Sequence, residues 1–540
     1  MRTNLLFLLI FLWSHIIHSQ IEDAWIFFKD KPEVDTYLSY PIAMLSQRAI
    51  DRRNRLQISL DEKDVPIDVT YYNQINATAG ITVKARSKWL NALHVRGTKE
   101  TIAALLPAFD FIESIEYADK RLNRVAVDNS TKNKFINNHQ NKFKALQTEF
   151  DYGMSSTQIK MLNADYLHRE GYTGEGMHIA VIDGGFLNVE TLPAFQRLRD
   201  QNKILGGYDF VNRSPNFYSA HSHGTHVLSN IAGYIENEFV GTAPDASFYL
   251  FITEDILNET PLEESLWVEA AERADSLGVD VINTSLGYTT FDNRNYSHTY
   301  NDLDGKTTFI SRGAEIGASR GMLLVTSAGN SGSSAWKYLS APADAAAVFT
   351  VGAVNASENM AQFSSYGPTA DGRVKPDVVA HGENVFVVNY NSGEPSRANG
   401  TSFSSPVMAG AVACFWQAFP NLKPVEVMEI VRKSSHRYAN PTDHYGYGIP
   451  DFEQAFKGLG TANLTEKTTL KTYPNPVEDL LFIDYKEPNL KISIINPIGV
   501  VVKDKETVSN SIDMSDLSGG MYILQIEKEG LFQKIKFLKH

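Results

Sequence analysis

The sequence predicts an α/β protein in which a doubly wound parallel sheet domain is preceded by a small α+β unit and followed by a small all-β sandwich. Three observations lead to this prediction. Apolar runs at 177–185 and 322–332 end in polar and glycine residues, which is typical of buried parallel strands. Short alternating segments lie on both sides, at 81–117 and 473–538, as expected for smaller β-containing units. The length of 540 residues suits three or four domains of about 150 residues each.

Residues 1–19 are predicted to be a signal peptide. Arg2 precedes an apolar run from Leu5 to Trp13, and a basic start followed by a short hydrophobic region is the pattern of such peptides. The run is shorter than the ~20 residues that a membrane span requires. We therefore expect cleavage near Ser19, and we expect no membrane span further along the sequence.

Composition and charge narrow the classes of function. The formal net charge of −13 and the isoelectric point near 5.6 argue against a nucleic-acid-binding surface, which needs a basic patch. The single cysteine, Cys414, cannot form an intramolecular disulfide. It lies in an apolar segment where a small buried thiol is ordinary, so we do not expect it to be a nucleophile. We expect an exported monomer that is stabilised by its core.

Residues 20–118 are predicted to form the α+β unit. Strand-like alternation occurs at 81–86, 89–95 and 111–117, and helical spacing occurs at 99–106. No motif in this unit is specific for a function, so its assignment rests on position and pattern.

Residues 119–151 are predicted to be a linker that contains the maturation site. The segment has many asparagines and lysines and few large apolar residues, a composition that builds a core poorly. Such segments are cut easily by proteases. Cleavage here would leave residues 152–158 near the new N-terminus.

Three polar residues in separate segments together suggest nucleophilic catalysis. Asp183 ends an apolar strand, at the sheet edge where open α/β sheets place their sites. His223 begins a helical pattern, and Ser402 follows a glycine at the start of another, where backbone N–H groups can stabilise negative charge. A neutral His223 could take the hydroxyl proton of Ser402 while Asp183 fixes its tautomer. The order Asp, His, Ser along the chain differs from the orders of the chymotrypsin and α/β-hydrolase triads.

Asn330 adds a donor for the oxyanion of such a reaction. It follows the apolar strand at 322–327 and lies between glycines, so its amide could donate to a tetrahedral intermediate beside the N–H of Ser402. Taken singly, each of these residues has an ordinary structural role such as a cap or a turn former. Zinc binding by His221, His223 and His226 is disfavoured, because helical zinc pairs are spaced i, i+4 with a glutamate between them, whereas His223 and His226 are three residues apart.

These segments closely resemble the signatures of the subtilase family of serine proteases, peptidase family S8, over roughly residues 152–459. The resemblance implies a subtilisin-like fold and a serine endopeptidase that hydrolyses proteins or peptides. By that resemblance Asp183 orients, His223 is the general base and acid, Ser402 is the nucleophile and Asn330 is the oxyanion donor. The residues that it implies for substrate binding are Ser285, Leu286, Gly287, Ser327, Ala328 and Gly329.

Two positions depart from the family pattern. Gly184 follows Asp183 where many relatives have serine or threonine, and His381 stands where proline is common. Neither change removes a catalytic group. A non-catalytic binding protein on the same scaffold would be expected to have lost one, so the enzyme is favoured.

The resemblance also suggests partners and cofactors. The position of the unit at 20–118 is similar to that of the family's inhibitory prodomain, which implies a precursor whose own prodomain blocks the cleft. No cofactor is expected for catalysis and no metal ligand is assigned. A structural calcium ion near Asp302 and Asp304 remains an alternative to a plain surface loop, which is favoured because no full calcium-binding pattern is present.

Residues 466–540 are predicted to be a small β-sandwich, with short strands separated by turns. A substrate-binding module is one alternative for this unit. However, the Tyr-Pro-Asn-Pro start at 473–476 and the segment at 516–522 closely resemble the C-terminal sorting domain of the type IX secretion system. That resemblance implies the outer-membrane secretion machinery as a partner, and export through the periplasm to the medium or the cell surface.

Overall fold

The computed structural model describes residues 20–123, 150–465, 472–483, 490–496, 501–507, 511–528 and 531–540. The predicted signal peptide and most of the predicted linker lie outside these residues. One compact unit contains the described residues up to Ala455, and a second begins at Phe456. Among the helices in the described ranges, none is both long and apolar enough to cross a membrane.

The chain begins with an antiparallel sheet and its helices. In chain order the elements are β1 (Ile21–Phe28), α1 (Val34–Ser39), α2 (Gln47–Arg55), α3 (Val69–Asn76), β2 (Thr82–Ser87), β3 (Ala92–Thr98), α4 (Lys99–Ala108) and β4 (Ile112–Tyr117). The strand order is β2-β3-β1-β4, and neighbouring strands run antiparallel. The strands and helix predicted between 81 and 117 are found, although β3 begins only at Ala92 because residues 88–91 form the turn after β2.

The first strand was not predicted, because its sequence does not alternate as a half-buried strand should. Glu22 and Asp23 lie in it and are both buried. Asp23 accepts hydrogen bonds from Arg96 and pairs with His94 at 2.9 Å, and Glu22 accepts one from Tyr296. Charged groups can be buried when they are paired in this way, and the partners are far away in sequence.

The central region is a parallel sheet with helices on both sides. Its elements are α5 (Ser156–Lys160), α6 (Ala164–Arg169), β5 (His178–Asp183), α7 (Gln196–Asp200), β6 (Ile204–Asp209), α8 (His223–Ala232), β7 (Tyr234–Ile235), β8 (Phe239–Val240), β9 (Ser247–Ile252), α9 (Leu262–Leu277), β10 (Val281–Thr284), α10 (Phe309–Ser319), β11 (Leu323–Ser327), β12 (Val348–Val354), β13 (Val378–His381), β14 (Glu383–Val388), β15 (Pro395–Asn399), α11 (Thr401–Ala418), α12 (Pro424–Lys433) and α13 (Phe452–Thr465). Seven strands form the sheet in the order β13-β12-β11-β10-β5-β9-β6, and all neighbours are parallel. This confirms the predicted doubly wound α/β class.

The strand order reverses between β5 and β10. From β5 the sheet grows through β9 to β6 on one side, and from β10 it grows through β11 and β12 to β13 on the other. Ligands of open α/β sheets bind outside the carboxyl ends of the strands at such a switch point. Asp183 is the last residue of β5, so the sheet places it there.

Helix α11 lies against the sheet and is buried along its whole length except at Gln417. It contains Pro406 and Gly410, which are poor residues for a helix interior. Burial compensates, because apolar residues such as Val407 and Phe415 face the core on all sides. The buried helix fixes its first turn, which carries Ser402, against the edge of the sheet.

The N-terminal sheet packs on α9 and α10. Trp25 stacks on Phe309 with ring centroids 4.9 Å apart, and its indole N–H donates to Ser265 at 2.8 Å. The carboxylate of Glu272 on α9 accepts the hydroxyl of Ser87 at 2.6 Å and the backbone N–H of Trp89 at 2.9 Å. The two parts of the chain therefore share one continuous core and one set of buried hydrogen bonds.

A second set of contacts joins α2 to the end of α9. We call it the arginine clamp, formed by Arg52, Arg53, Asp64, Asp275 and Arg320. Arg53 bonds to Asp64 at 2.8 Å and to Asp275 at 2.8 Å, Arg52 also bonds to Asp275, and Arg320 contacts Asp64 at 3.4 Å. Burial would raise the pKa of Asp275, but the charges of Arg53 and Arg52 lower it below its ordinary value.

The second unit is all β in its described strands. They are β16 (Thr472–Tyr473), β17 (Leu480–Ile483), β18 (Leu490–Ile495), β19 (Val501–Thr507), β20 (Ser511–Asp513), β21 (Gly520–Lys528) and β22 (Leu531–Lys539). They form two antiparallel sheets, β16-β17-β20 and β19-β18-β21-β22. Leu481 and Ile512 of one sheet share a core with Ile494 and Leu524 of the other, as a small sandwich requires.

Candidate active site

Asp183 and His223 meet at the carboxyl edge of the sheet. His223 is the first residue of α8, and its Nδ1 lies 2.7 Å from Oδ1 of Asp183. The same oxygen accepts the backbone N–H of Gly184 at 2.8 Å. Oδ2 of Asp183 is buried and accepts no hydrogen bond from any described residue. The carboxylate therefore holds the imidazole through one oxygen only.

The environment of His223 favours its charged form. Burial would lower the pKa of this imidazole, but the charge and hydrogen bond of Asp183 outweigh burial, and the pKa is raised above its ordinary value. An imidazolium that forms at this position is thus stabilised by the carboxylate of Asp183.

Ser402 lies in the first turn of α11, after Gly400. The φ angle of Gly400 is 151°, a backbone conformation that residues with a side chain rarely adopt. The hydroxyl of Ser402 donates to the carbonyl oxygen of Ser285 at 3.2 Å, and Ser285 Oγ donates back to the carbonyl oxygen of Ser402 at 2.9 Å. The rings of His223 and Phe403 lie 5.8 Å apart, so the imidazole and the serine turn are neighbours without a direct hydrogen bond.

Asn330 is held by the residue that precedes Ser402. Its Oδ1 accepts the backbone N–H of Thr401 at 2.9 Å and the hydroxyl of Thr401 at 3.0 Å. Because a backbone N–H can only donate, these contacts fix which side-chain atom is oxygen. The amide nitrogen therefore points away from Thr401, towards Gly400. Sequence reasoning missed Thr401, because a threonine at a helix start is an ordinary cap.

Two short segments lie on either side of the serine turn. Residues 285–287 follow β10 and are bonded to Ser402 through the two Ser285 contacts. Ser327 ends β11 and residues 328–329 follow the strand, where the N–H of Gly329 donates to Thr401 Oγ1 at 3.2 Å. The structure thus brings both predicted substrate-binding segments next to the serine turn.

A pair of acids near Asp183, the half-buried Glu254 and the buried Glu263, was not predicted from the sequence. Glu254 lies beside Gly184 and accepts a hydrogen bond from the hydroxyl of Tyr288. Burial raises the pKa of Glu254 to about 8, and burial together with Glu254 raises that of Glu263 to about 10. Their sequence context is a polar loop and a helix start, and nothing in it signals burial.

The groups considered for other chemistry have structural partners. Cys414 is fully buried and its thiol donates to the carbonyl oxygen of Thr242, and burial raises its pKa well above the ordinary value. Asp302 binds Lys120 at 2.7 Å, and Asp304 accepts the N–H of Thr307 at 2.8 Å. In the described part of the chain, no group of three or more His, Cys, Asp and Glu residues is arranged to hold a metal ion.

Comparison with known proteins identifies the family. The profile of the subtilase family, peptidase S8, matches residues 174–448, and the chain belongs to this family. The propeptide domain of Bacteroidota S8 peptidases matches residues 23–136, and the secretion system C-terminal sorting domain matches residues 471–540. It is therefore a serine endopeptidase made as a precursor with a propeptide, and it is exported to the medium or the cell surface.

Curated relatives agree with this assignment. The chain is 29% identical to subtilisin DY of Bacillus licheniformis over 300 residues, which are 55% of this chain and 97% of the relative. It is 30% identical to subtilisin BL of Lederbergia lenta, over 55% of this chain and 97% of that protein. It is 31% identical to subtilisin E of Bacillus subtilis, over 55% of this chain and 70% of that protein.

Proposed function

We propose that Ser402 is the nucleophile of this endopeptidase, His223 its general base and acid, Asp183 the residue that orients His223, and Asn330 an oxyanion donor. The observation that supports this most is the 2.7 Å contact between His223 Nδ1 and Asp183 Oδ1 beside the serine turn. With Nδ1 occupied as a donor, the neutral ring has Nε2 free to accept a proton.

The first step is acylation of Ser402. Its hydroxyl turns from the Ser285 carbonyl towards Nε2 of His223, because catalytic hydrogen bonds are often loose until substrate binds. Oγ attacks the peptide carbonyl carbon while its proton passes to His223. The resulting imidazolium is stabilised by Asp183. The C–N bond then breaks, and His223 returns the proton to the leaving amine.

The oxyanion of the tetrahedral intermediate is stabilised by two donors. The N–H of Ser402 lies in the first turn of α11, where no carbonyl of that helix can accept it. The amide nitrogen of Asn330 is available because Thr401 occupies its oxygen. Loss of one such donor costs about 10²–10³ in turnover in the subtilisin case from which this figure is taken. Water then attacks the acyl-enzyme by the same route, so the chemistry needs no cofactor.

The substrate is an extended peptide that pairs with the backbone near 285–287, as strand addition requires. The prodomain blocks this cleft in the precursor, assists folding and is cut from the enzyme within the linker at 119–151. The attachment of the prodomain to the enzyme is supported by the stacking of Trp25 on Phe309 of α10 and by the hydrogen bond from Ser87 to Glu272 of α9. A purified precursor with residues 20–118 attached and full activity would contradict it, and N-terminal sequencing of the secreted form would locate the cut.

The C-terminal unit directs export through the type IX system. Deletion of residues 466–540 should trap active enzyme in the periplasm. Normal secretion of the truncated chain would contradict this role.

The catalytic assignment is tested by labelling the mature enzyme with a fluorophosphonate probe, which reacts with activated serines. We expect labelling of the wild type and none of Ser402→Ala. Ser404→Ala is the matched control, because Ser404 lies in the same turn of α11 and donates only to the Thr401 carbonyl. Equal labelling of the wild type and Ser402→Ala would refute Ser402 as the nucleophile.

A further inference from the structure

A cavity of about 830 Å³ lies between the N-terminal α+β unit and the parallel-sheet domain. We call it the interface cavity. Residues of α3 and β2 line one wall, and residues of β6 and α9 line the other. Strand β6 is separated by β9 from β5, the strand that ends in Asp183, so the interface cavity is distinct from the active site. Its volume is within the range of about 300–1,000 Å³ that is typical of small-molecule sites.

Apolar side chains from both walls line the interface cavity. Ile67, Tyr72 and Val83 are half-buried and pack against the core of the N-terminal unit. Tyr208 of the other wall is half-buried and packs in the same way against the core of the sheet domain. The surfaces that these side chains still expose face the cavity, so an apolar group that covers them gains the free energy of burial.

The cations that line the cavity exceed the acids that pair with them. Arg86 and Arg213 share one carboxylate, that of Glu269, at 3.7 and 2.8 Å. Arg273 holds its guanidinium 4.7 Å from the centroid of an aromatic ring in the same wall, and it forms no ion pair with any described residue. Within the same part of the chain Lys84 forms none either. Three positive charges therefore lack a matching acid.

The two other carboxylates in the lining are held by groups of their own. Asp64 belongs to the arginine clamp, where Arg53 and Arg320 contact it. Glu272 accepts the hydroxyl of Ser87 at 2.6 Å, and burial raises the pKa of its carboxyl group. Neither acid neutralises the surplus cations. The interface cavity is thus positively charged in a chain whose formal net charge is −13, and an anion is the ligand that complements it.

We propose that the interface cavity binds an anionic amphiphile of the fatty-acid type. Its apolar chain lies on Tyr72, Val83 and Tyr208. Its carboxylate binds Arg273 and Lys84, because a guanidinium matches a carboxylate with two parallel hydrogen bonds. Both walls are needed, so the site exists only while the prodomain is attached. A ligand that binds one state alone stabilises that state, and this ligand therefore delays release of the prodomain.

The lining favours an amphiphile over the other anions that a positive cavity could attract. A free phosphate would leave the apolar surfaces in contact with water. A peptide that added to the edge of β2 would need the carbonyl oxygen of Lys84, which already accepts a hydrogen bond from Arg213 at 2.5 Å. A single apolar chain with one acidic group needs no backbone partner and covers both surfaces.

The test measures binding of sodium decanoate to the Ser402→Ala precursor by isothermal titration calorimetry, after a denaturing gel has shown that the chain is uncut. We expect saturable binding of one decanoate per chain. Adding Arg273→Ala or Lys84→Ala, one on each wall, should weaken it by at least ~10-fold, the scale of one hydrogen bond to a charged group. Inorganic phosphate and 1-decanol, which each share one property of decanoate, should bind at least ~10-fold more weakly than decanoate. The mature enzyme, which lacks the wall of α3 and β2, should not bind decanoate.

Arg294→Ala is the matched control, because Arg294 is an exposed arginine of the same domain outside the cavity, and its affinity should equal that of the parent precursor. Thermal unfolding without decanoate checks that each variant is folded. Absence of saturable binding, or an unchanged affinity in both cavity variants, would overturn the site. Phosphate or decanol that binds as tightly as decanoate would overturn the amphiphile as its ligand. Equal binding by the mature enzyme would refute a site formed by both walls.

Discussion

Two buried aspartates, Asp183 at the active site and Asp275 in the arginine clamp, are bonded in opposite ways. Asp275 uses both oxygens, and two guanidinium groups neutralise it. Asp183 bonds through Oδ1 to His223 and Gly184, and its Oδ2 has no partner among the described residues. A buried polar atom without a hydrogen bond costs stability. Asp275, which joins α2 to α9, therefore has hydrogen-bond partners for both carboxylate oxygens. Asp183, which contacts an imidazole, has described partners for only one.

The largest effect that separates the two aspartates is expected in catalysis. Asp183→Asn should lower kcat by about 10⁴-fold, because an amide stabilises the wrong tautomer and does not support the imidazolium. In the proposed mechanism His223 must be neutral to accept the proton, so kcat/KM is expected to rise as pH increases through the raised pKa of His223. Without the charge of Asp183 this pKa falls, and the acid limb of the pH profile should move to lower pH.

Asp209→Asn is the control for that experiment. Asp209 is also buried and also ends a parallel strand. However, its Oδ1 accepts the backbone N–H of Asn212 at 2.9 Å instead of holding an imidazole. Asp209→Asn should have the same kcat as the wild type and the same acid limb in its pH profile of kcat/KM. A similar loss in both variants would show that Asp183 matters only for structure.

Changes in the arginine clamp, in contrast, are expected to lower the unfolding free energy of the protein. Arg53→Met leaves the buried Asp64 and Asp275 without one of their cations, and breaking such a pair costs about 3–5 kcal/mol. We expect this loss in the unfolding free energy of the Ser402→Ala precursor, measured by denaturant titration. Arg169→Met is the control, since Arg169 pairs with Asp165 on a helix surface and should cost about 0.5 kcal/mol. Equal losses of unfolding free energy in Arg53→Met and Arg169→Met would show that the arginine clamp contributes no more to stability than a surface ion pair.

Glu254 is a half-buried acid near the active site, and its described hydrogen-bond partners are hydroxyl groups, not cations. The folded protein keeps its proton up to pH about 8, whereas an unfolded chain loses it near pH ~4.3. Stability therefore falls as pH rises through this window. Glu254→Gln does not ionise, so its gain in melting temperature over the parent Ser402→Ala precursor should be larger at pH 8 than at pH 5.

The control for Glu254→Gln is the exposed Glu236→Gln, which should show no such pH dependence. The expected difference at pH 8 is about 1 kcal/mol or more. A gain that is the same at both pH values would mean that Glu254 is ionised in the folded state.

The smallest effect concerns the free oxygen of Asp183. Residue 184 has room for a side chain, because an added Cβ would lie 3.6 Å from Glu254 and 3.8 Å from His221. Gly184→Ser offers Oδ2 a hydroxyl and should raise the unfolding free energy by about 0.5–1.5 kcal/mol relative to Gly184→Ala. Denaturant titration of the two variants in the Ser402→Ala precursor measures this. Equal stabilities would show that Oδ2 gains nothing from a donor.

Sequence reasoning located the strand ends and helix starts of the site, because each is a local signal. An apolar run that stops at Asp183 and a glycine before Ser402 can be recognised in a few residues. It missed contacts that join distant segments. Thr401 binds Asn330 across 71 residues, and Arg52 reaches Asp275 across 223.

The sequence by itself determined the α/β class, the order of Asp183, His223 and Ser402, and the family to which they belong, because periodicity and motif spacing are written locally in the chain. Only the tertiary structure decided which oxygen of Asp183 holds His223, which way Asn330 faces, and where Arg53 is buried. These depend on distances between segments that meet after folding. Burial and hydrogen-bond partners, unlike residue types, exist only once the chain has packed.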